Sequence, residues 1–249
     1  DLIKICENYD TCRVLTYGAN IVLAGNTNSG KSTLFNSLVG DDRSIVNKAA
    51  GTTRDYVDAK ISISGVPINI VDTAGLRKSK NEIESSGVNK TLDLVKKADL
   101  VLFVIDIINE KPLQVVDNIE YMNNNILMVY NKIDLKSNTN YATRTGSAVY
   151  VSALKTVGLS GLKKNILKKL NVEKIPNKLS GVSTPRQYEC IRKSLKSLDE
   201  ANNILSKGFQ LELVCYELEN ALYYINSLLG VDTDDLVLNS MFDGFCVGK

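Results

Sequence analysis

Eight residues near the amino terminus have the types and spacing needed to bind phosphate groups. Residues 25–32 read Gly-Asn-Thr-Asn-Ser-Gly-Lys-Ser, and they lie between a short apolar run and a helix-like segment. The backbone N–H groups of such a loop converge on phosphate oxygens. We expect Lys31 to neutralise phosphate charge and Ser32 to offer its hydroxyl to Mg²⁺. The other residues predicted to contact the nucleotide here are Asn28, Ser29, Gly30 and Thr33.

Two further segments have the types expected around a triphosphate. Asp72 opens the sequence Asp-Thr-Ala-Gly at the end of an apolar run, so its carboxylate can hold Mg²⁺ through water while the Gly75 N–H faces the γ-phosphate. Thr53 lies in the Gly/Thr segment 51–55 and is placed to ligate Mg²⁺ when the γ-phosphate is present. We interpret residues 40–56 and 75–87 as two switch segments that γ-phosphate contacts order.

Two more segments predict which base is bound. Asp134 ends the sequence Asn-Lys-Ile-Asp, and its carboxylate can accept from the N1–H and the exocyclic amine of guanine, whereas adenine offers neither donor there. Asn131 is expected to tie this loop to the phosphate loop and to read the base. The Ala153 N–H can meet the guanine carbonyl oxygen. Lys132 and Ser152 complete the predicted guanine-binding set, so the sequence predicts GTP as the ligand.

These motifs need strands and helices that bring them together. Apolar runs at 21–24, 67–72, 100–106, 126–131 and 148–151 predict strands, and Ser64-Gly65 predicts a hairpin turn after a strand at 57–64. Helical segments are predicted at 86–97, 114–122 and 159–170. The alternation indicates an α/β fold with a doubly wound, mostly parallel sheet, as in P-loop GTPases.

The predicted GTPase domain spans residues 19–173, preceded at 1–18 by the end of a helical-domain segment or a linker. Residues 174–249 predict an all-α domain, in which helices over 185–229 break at 206–208 and a last helix begins near Asp232. Two apolar stripes at helical spacing are interpreted as core packing between these helices. Their members are Tyr188, Ile191, Leu195, Leu198 and Leu205, and then Leu211, Val214, Cys215, Leu218, Leu222, Ile225 and Leu229.

Composition narrows the function classes. A net charge of +2 gives no global attraction to nucleic acid, and an excess of acidic residues after residue 177 favours RNA contact through a partner or a local patch. The five cysteines form no Cys-x-x-Cys pair, which favours free thiols in a cytoplasmic protein, and we expect no membrane segment. Because histidine is absent, acid/base chemistry must use other groups. The chain begins at Asp1, and we expect it to be a fragment.

Leu76 occupies the position where small Ras-like GTPases place the glutamine that orients the attacking water. Catalysis therefore needs another polar group, and Glu82 and Glu84 are the nearby carboxylates. Arg54, Arg77 or a bound ion can supply the positive charge that stabilises the transition state. The alternative is a slow switch that awaits an external activator.

The five motifs together resemble those of the translation-factor-like P-loop GTPases. Segments 51–55 and 72–77, with the tail Phe-Cys-Val-Gly-Lys at 245–249, more narrowly resemble the MnmE (TrmE) family of tRNA-modification GTPases. That resemblance implies that Glu84 activates the attacking water. Glu84 and Lys31 are then the two predicted catalytic residues of GTP hydrolysis. The resemblance also implies a K⁺ site, and two GTPase domains that form a homodimer across their nucleotide faces. The implied K⁺ site comprises Asn28, Asn47, Lys48, Ala49 and Thr52.

The same resemblance implies a role in modifying the wobble uridine of tRNA. Cys246 then takes part in chemistry at the uridine ring, together with a partner FAD protein of the MnmG type. A tetrahydrofolate one-carbon donor would bind an N-terminal domain that the family carries. Two alternatives stay open: a GTP-gated ribosome-assembly or scaffold GTPase of the Era or Der type, and an inactive nucleotide-binding remnant.

Overall fold

The computed structural model describes residues 1–41, 57–73, 92–108, 125–136, 148–173, 179–208 and 211–231. Most of both predicted switch segments, the predicted helix at 114–122 and the tail after residue 231 lie outside this described part. The chain divides into two compact units. Asp1–Thr16 and Pro176–Lys249 form one, called the helical unit below, and Tyr17–Ile175 form the other, called the sheet unit.

The sheet unit is built on a six-stranded, mostly parallel sheet, as the sequence predicts. Its strands are β1 (Ala19–Ala24), β2 (Val57–Ile63), β3 (Val66–Asp72), β4 (Leu100–Asp106), β5 (Ile126–Asn131) and β6 (Ala148–Tyr150). Their order across the sheet is β2-β3-β1-β4-β5-β6, and only β2 runs antiparallel to its neighbour. The carboxyl ends of the five parallel strands therefore share one edge, which is where ligands bind in such sheets.

The predicted hairpin joins β2 to β3. Ser64 and Gly65 both have positive φ, 52° and 86°, which is the two-residue turn geometry that matches strand twist. The central strands β1 and β4 are almost wholly buried, with Ile21, Leu23 and Leu102 fully enclosed. That burial explains why their sequences are continuous apolar runs and show no alternation.

Two full helices of the sheet unit are described. They are α3 (Lys31–Asp41), which follows the phosphate loop, and α4 (Leu159–Lys169), which follows β6. Helix α4 buries Leu159, Leu162, Ile166 and Leu167, the spacing of one helical face. Residues 92–97 are also helical, which is the part of the predicted segment 86–97 that the structure describes.

The helical unit contains α1 (Leu2–Glu7), α5 (Pro185–Ser206), α6 (Leu211–Leu229) and all but the last residue of α2 (Tyr9–Tyr17). Tyr9 of α2 stacks on Tyr188 of α5 with ring centroids 4.3 Å apart. Asn8 Nδ2 donates to the Ser180 carbonyl oxygen at 2.9 Å. The predicted break at 206–208 is confirmed, because α5 ends at Ser206.

The prediction that both apolar stripes form a core is only partly correct. Ile191 and Val214 are buried, but Leu211 is 71% exposed, Leu222 is 59% exposed and Leu229 is 68% exposed. Leu198, Leu205, Cys215 and Leu218 are exposed as well. Helix α6 buries only Val214, which belongs to the predicted stripe, and Ala221, which lies outside it. Helical spacing alone does not say which of two neighbouring faces packs.

No helix in the described part of the chain combines the length and apolar character needed to cross a bilayer.

Clear pKa shifts occur in the helical unit. Burial raises the pKa of the Cys6 and Cys12 thiols above its ordinary value. The hydrogen bond from Arg192 lowers the pKa of the exposed Glu189 carboxyl.

Candidate functional site

The phosphate loop joins the buried end of β1 to the first residue of α3. Gly25 and Gly30 have φ values of 136° and 91°, a region that side chains rarely adopt. A Cβ at Gly25 would overlap the Val104 carbonyl oxygen, and one at Gly30 would overlap the side-chain amide of Asn131. Both glycines are therefore required so that the loop can lie against β4 and against the predicted base-reading segment.

Lys31 is the first residue of α3 and is 7% exposed, so its charge is largely withdrawn from water. Its ammonium donates to the carbonyl oxygens of Gly25 at 3.0 Å and of Asn26 at 2.7 Å. These bonds hold the ammonium inside the loop that the sequence predicts to cradle phosphates. A buried charge satisfied by backbone oxygens is well placed to interact with an anion there.

Ser32 and Asp72 meet at the same edge of the sheet. The Ser32 hydroxyl donates to Asp72 Oδ2 at 2.7 Å, and Asp72 is 4% exposed at the end of β3. Oxygen ligands of this kind are those that Mg²⁺ prefers, so the pair fits the magnesium role predicted for both residues. Thr73 fixes the end of the strand, since its hydroxyl donates to the Leu23 carbonyl oxygen at 2.8 Å.

Asn131 joins the phosphate loop to the segment after β6. Its Nδ2 donates to the Ser29 carbonyl oxygen at 3.0 Å, and its Oδ1 accepts from the Ala153 N–H at 3.0 Å. The tie to the phosphate loop is the one the sequence predicts. The Ala153 N–H, however, points to Asn131 in this structure, so a guanine oxygen approaching it would share or replace that bond.

Asp134 lies beside the same segment. The Ser152 hydroxyl donates to Asp134 Oδ1 at 2.5 Å and in turn accepts the Lys155 N–H at 3.2 Å. The bond orients the carboxylate through one of its oxygens. A carboxylate has a second oxygen, Oδ2, so this geometry is compatible with the predicted recognition of guanine donors.

Two contacts of this site were not predicted from the sequence. The Ser37 hydroxyl, on α3, donates to the Ala153 carbonyl oxygen at 2.7 Å. Lys132 Nζ forms an ion pair with Asp106 Oδ2 at 2.7 Å. The position of Asp106 at the polar end of an apolar strand was a usable indication, because strand ends at this edge collect functional residues. Ser37 gave no such indication.

Some of the remaining predicted site residues lie in the described part of the chain, and others do not. Asn28 and Thr33 are exposed, and Asn28 adopts a left-handed conformation with φ of 62°. Ser29 is buried in the loop, with a hydroxyl that has no hydrogen-bond partner. The other predicted site residues lie outside the described residues, so their roles stay predictions: Asn47, Lys48, Ala49, Thr52, Thr53, Gly75, Glu82, Glu84 and Cys246.

The parallel sheet, the phosphate loop and the base-reading segments define the class of this protein, a P-loop GTPase. Residues 20–132 match a family model described as 50S ribosome-binding GTPase. Among solved structures, a variant of Aquifex aeolicus Era bound to GDP and AlF4⁻ is 27% identical, covers 72% of this chain and 66% of its own, and gives a TM-score of 0.47.

Comparison with curated relatives gives a narrower similarity within the GTPases. A tRNA modification GTPase MnmE of Aquifex aeolicus is 36% identical over 99% of this chain. That of Koribacter versatilis is 34% identical over 100% of this chain. The alignments cover 55% of each relative, so the chain spans little more than half their length. Over its whole length the chain is thus similar to GTPases of the MnmE family.

Proposed function

We propose that the protein is a K⁺-assisted GTP hydrolase that acts in the modification of the wobble uridine of tRNA. The observation that carries the proposal is the meeting of Lys31, Ser32 and Asp72 with Asp134 and its partner loop at one sheet edge. Its similarity to proteins named tRNA modification GTPase supports the pathway. The GTPase domain proposed here spans 19–173, flanked by a helical segment at 1–18 and a helical domain at 174–249.

The residues of the site have separate tasks in this proposal. The Lys31 ammonium neutralises the phosphates, and the Ser32 hydroxyl and Asp72 carboxylate hold Mg²⁺, which offsets charge on the phosphate oxygens. Asp134 selects guanine, with its carboxylate oriented by the Ser152 hydroxyl. Glu84 activates the attacking water. Small Ras-like GTPases use a glutamine for this task, and Leu76 occupies that position here. Asn28 and the segment 47–52 bind K⁺. The positive charge of K⁺ stabilises the transition state, which is the task that an arginine performs in other GTPases.

Partners complete the proposed activity. We infer a homodimer that forms across the nucleotide faces, an FAD-containing protein of the MnmG type, and tRNA as substrate in the cytoplasm. A tetrahydrofolate donor would bind elsewhere in the full-length protein. Cys246 is proposed to act at the uridine ring, because it occupies the position of the family's functional cysteine.

The first test compares GTP turnover in K⁺ and Na⁺ buffers of equal ionic strength, over a range of protein concentrations. We expect faster turnover in K⁺ and a rise in specific activity with concentration if the homodimer is the active form. Asn28→Ala should abolish the K⁺ advantage. An unchanged ratio in that variant would refute the ion assignment.

The role of Glu84 requires a separate comparison. Glu84→Ala should lower kcat far more than it weakens GTP binding, because the side chain acts on the water and not on the nucleotide. Glu82→Ala is the matched control, since it removes a carboxylate two residues away. Equal losses of kcat and affinity in Glu84→Ala would argue against a catalytic role.

A GTP-gated ribosome-assembly function is the second candidate, favoured by the description of the matching family model as a 50S ribosome-binding GTPase. The two functions differ in what Cys246 does. Cells whose full-length protein carries Cys246→Ser should lose wobble-uridine modification if the first proposal holds. Normal modification with altered ribosome profiles would favour the second.

A further inference from the structure

Asp106 lies at the carboxyl end of β4, on the sheet edge that carries the nucleotide motifs. Its Oδ2 pairs with Lys132 Nζ at 2.7 Å, and the two side chains are only 13% and 29% exposed. Such partial burial makes an ion pair more sensitive to the loss of one partner than a surface pair is. This carboxylate belongs to none of the nucleotide motifs.

The carboxylate of Asp106 is fixed on its other side. Its Oδ1 accepts the Ile108 N–H at 3.0 Å, and the Ile107 N–H donates to the Asn131 carbonyl oxygen at 3.1 Å. Asp106 and Asn131 are register partners in adjacent parallel strands. The acceptor that Lys132 meets is therefore held by the backbone that follows β4, and this backbone is itself hydrogen-bonded to the last residue of β5.

Lys132 is the residue that benefits from a fixed acceptor. It adopts a left-handed conformation, with φ of 68° and ψ of 35°, between Asn131 and Asp134. Its Cε would lie 3.9 Å from a Cβ placed on Gly30, so its aliphatic stem passes beside the phosphate loop. The stem thus lies between the loop predicted to hold phosphates and the segment predicted to read guanine.

We propose that Asp106 is a positioning residue for guanine-nucleotide binding, which acts by holding the Lys132 side chain against the phosphate loop. Without this acceptor the long lysine side chain regains its rotamer freedom, and nucleotide binding must order it again. The inference rests on the proposed guanine-nucleotide site. It predicts a loss of affinity with little change in the rate of the chemical step.

The test measures binding of a fluorescent GDP analogue and GTP turnover for Asp106→Asn in the whole protein. Asparagine keeps an oxygen for the Ile108 N–H and removes the charge that Lys132 meets. We expect the Kd to rise about tenfold, which is more than the loss of a surface ion pair costs and less than the loss of a fully buried one, while kcat at saturating GTP stays near the wild-type value. Asp99→Asn is the matched control, because Asp99 Oδ2 accepts the Asn20 N–H at 2.7 Å at the opposite end of β4.

A double-mutant cycle separates positioning from a merely structural role. Lys132→Met keeps a stem and removes the ammonium, so it should weaken binding by a similar factor, and adding Asp106→Asn to it should cost nothing more. Independent, multiplying losses would overturn the proposal, as would wild-type affinity in Asp106→Asn. If Asp106→Asn fails to fold, wild-type affinity in Lys132→Met overturns it instead.

The outcome also distinguishes this inference from the proposed function. A wild-type protein that does not bind the GDP analogue contradicts both. A wild-type protein that binds it, together with Asp106→Asn and Lys132→Met variants that bind equally well, contradicts only the role of Asp106.

Discussion

Ser32 and Asp72 are separated by forty residues, yet one hydrogen bond of 2.7 Å joins them. The sequence predicted both residues because each belongs to a short motif with known chemistry at a strand end. It did not predict Ser37, whose contact with Ala153 depends on how α3 lies against the loop after β6. Sequence motifs identify the residues that contact a ligand. The supporting residues that fix the positions of those side chains can be identified only from the folded structure.

The magnesium assignment gives a prediction at the level of single residues. Ser32→Ala should reduce the difference between nucleotide affinity measured with Mg²⁺ and with a chelator, because it removes a predicted metal ligand. Titration with a fluorescent GDP analogue under both conditions measures this difference. Ser37→Ala is the control on the same helix. Ser37→Ala should weaken nucleotide binding by the same factor with and without Mg²⁺. If the difference in affinity between the two conditions is as large in Ser32→Ala as in the wild-type protein, the magnesium assignment is contradicted.

Among the elements, strands were predicted more accurately than the packing faces of helices. The runs 100–106 and 126–131 became β4 and β5 with the same bounds. Strand β4 is buried on both faces, and β5 is buried on one face and half-buried on the other, so both admit few polar residues. The stripe on α6 was assigned to the core, but Leu211 and Leu222 are exposed. Helical periodicity marks an apolar face, and the neighbouring helix decides which face is covered.

The start of α5 provides a prediction at the level of an element. Thr184 and Gln187 form a capping box, in which the Thr184 hydroxyl accepts the Gln187 N–H at 3.2 Å, and Pro185 occupies the first turn. Thr184→Ala should lower the free energy of unfolding by about 1 kcal/mol, the usual cost of losing such a cap. Denaturant unfolding monitored by circular dichroism measures the change. Thr184→Ser keeps the hydroxyl and should retain most of the stability; equal losses in both variants would show that the cap is not the cause.

At the scale of the whole molecule, every described nucleotide motif belongs to the sheet unit, Tyr17–Ile175. The division into a sheet unit and a helical unit follows the change in sequence character near Pro176, where strand-like runs stop. The sequence could not show that Asp1–Thr16 groups with Pro176–Lys249, because that grouping depends on contacts between distant segments, such as Tyr9 with Tyr188.

This division predicts that residues 17–175 alone bind guanine nucleotide with the affinity of the whole chain. Isothermal titration of both proteins with GDP and Mg²⁺ measures the comparison. We expect dissociation constants that agree within about threefold, a difference of well under 1.4 kcal/mol. A folded but non-binding sheet unit would show that the helical unit contributes to the site.

Guanine recognition by Asp134 is the claim on which the functional account depends most directly. Binding of GDP and of xanthosine diphosphate should be measured for the wild-type protein and for Asp134→Asn, with Asp58→Asn on β2 as a control. We predict that Asp134→Asn loses GDP affinity by about a hundredfold or more and gains affinity for the xanthine nucleotide, because an amide can donate to the oxygen that replaces the guanine amine. Undiminished preference for GDP in Asp134→Asn would contradict the account.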